Sequence, residues 1–109
     1  MEMQAGMKND FVILKMKGRM DAATGPAFEK ECLSWIDDKG ARRVIVDMAG
    51  LEYISSAGLR SILSISMKLR AQEGEIRFAN LSGMVKEVFT IAGFSTMFQS
   101  YDSVDQALA

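Results

Sequence analysis

Phe11-Val12-Ile13-Leu14-Lys15-Met16-Lys17 opens as a continuous apolar run and ends in alternation of apolar and polar positions. That is the pattern of a strand with one face covered for most of its length. Met1 to Met7 supplies a weaker partner strand, with the turn at Lys8-Asn9-Asp10. Gly18 to Gly25 carries turn residues. Asp21 or Thr24 is placed to cap a helix whose first turn holds Pro26, where a missing N–H does no harm. In that helix Phe28, Cys32 and Ile36 recur at i, i+4 and i+8 with Leu33 and Trp35 beside them, while Glu29, Lys30, Asp37 and Lys39 fall on the polar side. Gly40 is its C-terminal stop.

Arg43–Asp47 is a short apolar run rich in β-branched residues, which reads as a buried strand. A Gly-containing loop comes next, and then a helical pattern that opens on Ser55 and Ser56. Its apolar face is Leu59, Ile62, Leu63, Ser66 and Leu69, and Gly74 closes it. Glu75–Ala79 is a further strand. Ser82 is placed to cap a third helix with Val85, Val88, Phe89 and Ala92 as its buried stripe and Gly93 as its end. Met97–Tyr101 predicts a last strand, and Asp102 or Ser103 a cap for a short terminal helix through Leu108. The order is β-β-α-β-α-β-α-β-α, which implies a small mixed, mostly parallel sheet with flanking helices and one antiparallel pairing from the first hairpin.

A chain of 109 residues is expected to form one domain, residues 1–109, able to bury a core without disulfides or metal. With 13 basic and 14 acidic residues and a formal charge of -1, nothing steers it toward nucleic acid or an anionic membrane. Arg42-Arg43 and Lys68/Arg70, the local basic groupings, read as solvated faces. Cys32 is the single cysteine, which fits a reducing compartment. No apolar run approaches the roughly 20 residues needed to span a bilayer. A cytoplasmic location without membrane insertion is therefore expected. The absence of histidine removes the commonest general base, the usual Ser-His-Asp and Cys-His pairings and most zinc sites.

The chemistry that remains concentrates at Ser55 and Ser56. A serine at a helix start caps it, its oxygen accepting from an otherwise unpaired N–H. An exposed hydroxyl there is also a good place for a phosphate, whose charge meets free N–H groups and the positive end of the dipole. Such a modification leaves the fold intact while changing the surface, because a partner built for a neutral patch meets a desolvated dianion. Asp47 as a base for Ser56 lacks a histidine relay. Asp37-Asp38 has no third ligand at a metal-binding spacing, and Gly18 and Gly25 do not form a phosphate-cradling loop. Cys32 reads as core filler. Of the nine methionines, Met48, just before the serine loop, is the one expected at an interface.

Val44-Ile45-Val46-Asp47-Met48-Ala49 followed by Tyr53-Ile54-Ser55-Ser56-Ala57-Gly58-Leu59-Arg60, with Gly18-Arg19-Met20-Asp21-Ala22 ahead of the first helix, resembles the STAS domain of bacterial anti-sigma factor antagonists. The likeness covers essentially the whole chain and implies the STAS fold. Counting back two places from Gly58 in the family's phosphorylation motif gives Ser56 as the phosphoacceptor. Ser55 stands where the family often has aspartate and is a second candidate. The resemblance implies a non-enzymatic partner switch needing no cofactor. The unmodified form would bind an anti-sigma factor that is also a serine kinase and release its client. Phosphorylation at Ser56 would end binding, and a metal-dependent serine phosphatase would reset it. The implied interface is Met48, Tyr53, Ser55, Ser56, Ala57, Gly58, Leu59 and Arg60. The alternative within the fold is a non-phosphorylated interaction subunit of a membrane transporter ATPase complex, with both serines serving only as caps.

Overall fold

In the computed structural model, which describes all of residues 1–109, strand β1 (Glu2–Lys8) pairs antiparallel with β2 (Phe11–Met20) across a tight turn. Asn9 and Asp10 take positive φ of 51° and 67° in that turn, the geometry that matches a two-residue hairpin to the twist of its strands. The chain then forms helix α1 (Gly25–Leu33), which runs on into a π-helical turn over Ser34–Asp38. It continues through β3 (Arg43–Ile54), α2 (Ser56–Ala71), β4 (Glu75–Ala79), α3 (Gly83–Ile91), the single turn α4 (Phe94–Met97), β5 (Gln99–Tyr101) and α5 (Val104–Leu108). The five strands lie in sequence order, all parallel after the first pair. The expected element order and sheet type are thus present, with α4 as an addition.

The sheet is covered unequally. One face carries Val12, Leu14, Met16, Val44, Val46, Met48 and Phe78, packed against Phe28, Cys32 and Ile36 of α1 and its π-helical extension, Ile62, Ile65 and Leu69 of α2, and Val85 and Phe89 of α3. On the other face α5 alone closes a small cluster of Phe11, Ile45, Ala79 and Ala107. Burial pushes the Cys32 thiol far above its ordinary value, with Glu31 and Glu29 adding to the shift, so the residue is inert core filler as its position on the helix implied.

Several sequence expectations change. The basic pairs are not merely solvated: Arg42 donates to the carbonyls of Ile36 and Ala41, Arg43 lies over the Phe11 ring and pairs with Glu75, and Lys68 pairs with Asp37 at 3.3 Å. Ala92 is exposed, because α3 ends one residue earlier and Phe94 of α4 takes the place in the core. Ser82 is the N-cap of α3 but its hydroxyl accepts no bond from it, whereas the Ser103 hydroxyl caps α5 by accepting from the Gln106 N–H at 3.1 Å. No helix is long and apolar enough to cross a membrane.

Candidate functional site

The largest difference from the sequence reading lies just before the serines. The strand does not stop at Asp47; β3 continues to Ile54 in parallel register with β2. Two extra residues on β3 are absorbed by irregularities, one between the Lys15–Asp47 and Lys17–Gly50 pairs and one between Gly18–Leu51 and Arg19–Tyr53. Such bulges bend a strand and re-aim the side chains beyond them. Gly50 makes the first possible, since a Cβ there would lie 2.7 Å from the Met16 carbonyl oxygen. The longer strand explains why Met48 is not at the surface. It continues the inward alternation of Val44 and Val46 and is 2% exposed. Its side chain is core, which corrects the expectation that it faces a partner.

Helix α2 begins immediately after β3. The Ser55 N–H donates to the Met20 carbonyl at 2.9 Å, tying the helix start to the end of β2. The Ser55 hydroxyl accepts from the Gly58 N–H at 3.2 Å as the N-cap. Ser56 is the first residue of the helix proper and is exposed, with its hydroxyl free. The two serines therefore differ: one oxygen is committed to the backbone and the other faces water. Replacing Ser55 by alanine is expected to lower unfolding free energy by about 1 kcal/mol, the usual loss for an N-cap, in a urea titration. A change indistinguishable from zero would mean that the cap bond contributes nothing.

Gly58 is the pivot of this arrangement. A Cβ on it would come within 2.8 Å of the Met20 carbonyl oxygen and 2.9 Å of Ile54 Cγ1, so the helix can sit this close to the strand ends only with glycine there. Gly58 is consequently buried, and the expected contact surface narrows to half-buried Tyr53, Ser55, Ala57 and Leu59 with exposed Ser56 and Arg60. These residues lie together at the C-terminal end of the parallel strands, where open α/β sheets present their ligand-binding crevices.

Sequence reasoning missed two neighbours. Arg19, at the end of β2, lies over the Tyr53 ring at 4.1 Å from its centre. The parallel pairing of Arg19 with Tyr53 creates that contact, and a long-range register is not legible in either residue alone. Beside Ala57, a recess of about 300 Å³ is lined by Asp21, Pro26, Glu29, Arg60 and Ser61. Ser61 donates to Glu29 at 3.1 Å across it, joining α2 to α1. Desolvation opposes ionisation of Asp21. The N–H groups of Ala23 and Thr24, the Thr24 hydroxyl and the charge of Arg19 outweigh it and hold the carboxyl below its ordinary value. Asp21 thus organises the turn into α1 as a carboxylate, and its own N–H donates to the Thr24 hydroxyl in the same turn.

Asp47 does not approach Ser56. It accepts from the Ala49 N–H at 3.0 Å and from the Asn80 amide at 2.9 Å. The rim joins a neutral hydroxyl, a helix N-terminus, one aromatic ring and two arginines, which suits recognition of another protein's surface better than bond-breaking chemistry.

Comparison with known proteins agrees with this geometry. The STAS domain family model matches residues 2–107. The chain is 39% identical over 98 residues to BtrV of Bordetella bronchiseptica, named as an anti-sigma factor antagonist, covering 90% of this chain and 84% of that protein. A Thermotoga maritima protein named as an anti-sigma factor antagonist has the same fold, with TM-score 0.91 and 19% identity over 97% of this chain and 91% of that one. The Bacillus cell fate determinant SpoIIAA in its phosphorylated form matches with TM-score 0.75 and 18% identity over 97% and 96% of the two chains. At these identities the two solved structures speak for the fold, and the family match and BtrV carry the rest: the chain belongs to the STAS-domain family of anti-sigma factor antagonists.

Proposed function

We propose that this protein works as the phosphorylation-controlled member of a partner switch and that Ser56 is its phosphoacceptor. The observation that carries the reading is the division of labour between the serines: Ser55 is engaged as the cap, whereas Ser56 is exposed on the first turn. Unmodified, the protein binds an anti-sigma factor that is also a serine kinase, through Tyr53, Ser56, Ala57, Leu59 and Arg60, and so frees the client. The kinase then transfers the γ-phosphoryl group of ATP to the Ser56 oxygen, releasing ADP and the hydroxyl proton. Hydrolysis by a metal-dependent serine phosphatase returns the hydroxyl and inorganic phosphate. The protein is substrate and ligand in this cycle, not catalyst.

Phosphate at Ser56 is compatible with the fold because the first N–H groups of a helix lack intrahelical acceptors and the dipole favours a negative charge there. Arg60 lies one turn further on, at the i+4 spacing that brings side chains together. SpoIIAA, of the same fold, has been solved phosphorylated, which supports the modification as a property of such a scaffold.

Intact-mass measurement on the protein from its native cells, followed by peptide mapping, is expected to find one added phosphoryl group on Ser56 that is absent from Ser56→Ala. Phosphate on Ser55 instead would move the acceptor by one residue. An unmodified protein under every growth condition, with Ser56→Ala fully active, would overturn the switch in favour of a constitutive interaction subunit.

A further inference from the structure

The outer edge of β1 is unpaired. It is the first strand in the sheet order, so half of its backbone N–H and C=O groups point away from β2. Protein edges of this kind are usually blunted by proline, charged side chains, a bulge or a covering element. β1 has no proline, its two charges, Glu2 and Lys8, stand at its ends, and it runs in unbroken register with β2 over all seven residues, Glu2–Lys8.

The strand is also complementary to its own reverse. Glu2-Met3-Gln4-Ala5-Gly6-Met7-Lys8, set antiparallel to a second copy with Ala5 opposite Ala5, places Glu2 opposite Lys8, Met3 opposite Met7 and Gln4 opposite Gly6. The pleat sorts these pairs by face. Met3, Ala5 and Met7 stand beside Met16, Leu14 and Val12 of β2, on the side of the main core, whereas Glu2 stands beside Lys17 on the other side. Met7 is 55% exposed, and Met3 packs against the rim of the core. On the opposite face Glu2 lies 3.9 Å from Lys17 and would be flanked on its free side by Lys8 of the second copy.

We propose that two copies of this protein associate through antiparallel β1–β1 pairing centred on Ala5, which fuses their sheets. The occupant is a second copy rather than a foreign strand because charge, methionine and small-residue pairs all match in this single register. The strand contributes no residue to the switch site, so the two surfaces share no side chain. Edge pairing of this length falls below the roughly 1,000 Å² of a stable interface, so the dimer is weak and concentration-dependent.

Sedimentation velocity on the full chain up to about 1 mM, a range that reveals weak interfaces, is expected to show reversible dimerisation. Lys8→Glu sets a glutamate against Glu2 at both symmetric ends and should weaken the dimer about tenfold or more. Combining it with Glu2→Lys restores the opposite-charge pairs and should restore the dimer. Ala5→Cys should form a disulfide-linked dimer on mild oxidation, since Ala5 faces itself across the axis and Cys32 is buried. A wild-type protein that stays monomeric throughout would overturn the proposal and leave the edge to solvent or another protein's strand. So would a dimer indifferent to Lys8→Glu, which would lie on another surface. A charge swap that fails to restore association would overturn the register.

Discussion

Ser56→Asp is expected to weaken binding to the anti-sigma factor by at least about a hundredfold while leaving the midpoint of thermal unfolding unchanged or slightly raised. The opposite signs result from where the charge sits. On the first turn of α2 a carboxylate interacts favourably with free N–H groups and the helix dipole, by about 0.3–1 kcal/mol. In the proposed complex the same carboxylate would lose water, and an unpaired charge taken into an interface costs several kcal/mol. About 2.7 kcal/mol corresponds to the hundredfold loss. Ser56→Asn provides the control, because asparagine has the size of aspartate without its charge. Calorimetric titration of both variants with the anti-sigma factor separates charge from size. Wild-type affinity for Ser56→Asp would eliminate charge exclusion as the switching mechanism.

Phe78→Ala is expected to lower unfolding free energy by about 3–5 kcal/mol, a large share of the roughly 5–15 kcal/mol available to a domain of this kind. Phe78 is completely buried on β4. Its ring centre lies 5.2 Å from that of Phe89 on α3 and 5.3 Å from that of Phe98, and Phe94 lies 5.3 Å from both Phe89 and Phe98. The four rings close a cycle of edge-on and tilted contacts, whose geometry adds to the apolar area they remove from water. Truncation leaves a cavity that Phe89 on α3, Phe94 on α4 and Phe98 between α4 and β5 are not free to fill. Urea denaturation should show a lower midpoint with an unchanged slope. Because β4 and α3 contribute nothing to the Ser56 surface, the folded fraction should bind the anti-sigma factor normally. A loss below about 1 kcal/mol would show that the site repacks and that the ring cycle is not a principal source of stability.

Much of this protein is legible locally. The alternation in Phe11–Lys17, the β-branched run at Arg43–Asp47 and the helical spacing of Phe28, Cys32 and Ile36 each encode an element through contacts of one side chain with its near neighbours. The mostly parallel pairing follows from strands separated by helices, and the serine-loop motif with its glycine points to the helix start that bears Ser55 and Ser56. Other features are settled only at long range. The extension of β3 from Asp47 to Ile54 depends on pairing with β2 through two register shifts. Seen alone, Ala49 and Gly50 read as a loop, which leaves Met48 at the surface; the paired strand continues the alternation and buries it.

Periodicity, capping chemistry and a contiguous motif carry the element order, the mostly parallel sheet, the family and the pair of serines at the start of α2. All of these are written in residues close together along the chain. Which serine is free is a tertiary matter. The Ser55 N–H, bonded to the Met20 carbonyl, fixes the junction of β2, β3 and α2, where the Ser55 oxygen caps the helix through Gly58. The close approach of Gly58 to the Met20 carbonyl then sets the helix so that Ser56 faces water. The same packing selects the residues around that hydroxyl. Arg19 and Asp21 come from one stretch of the chain and Tyr53 and Arg60 from another, and what brings the two together is the pairing register and helix packing, which no local pattern contains.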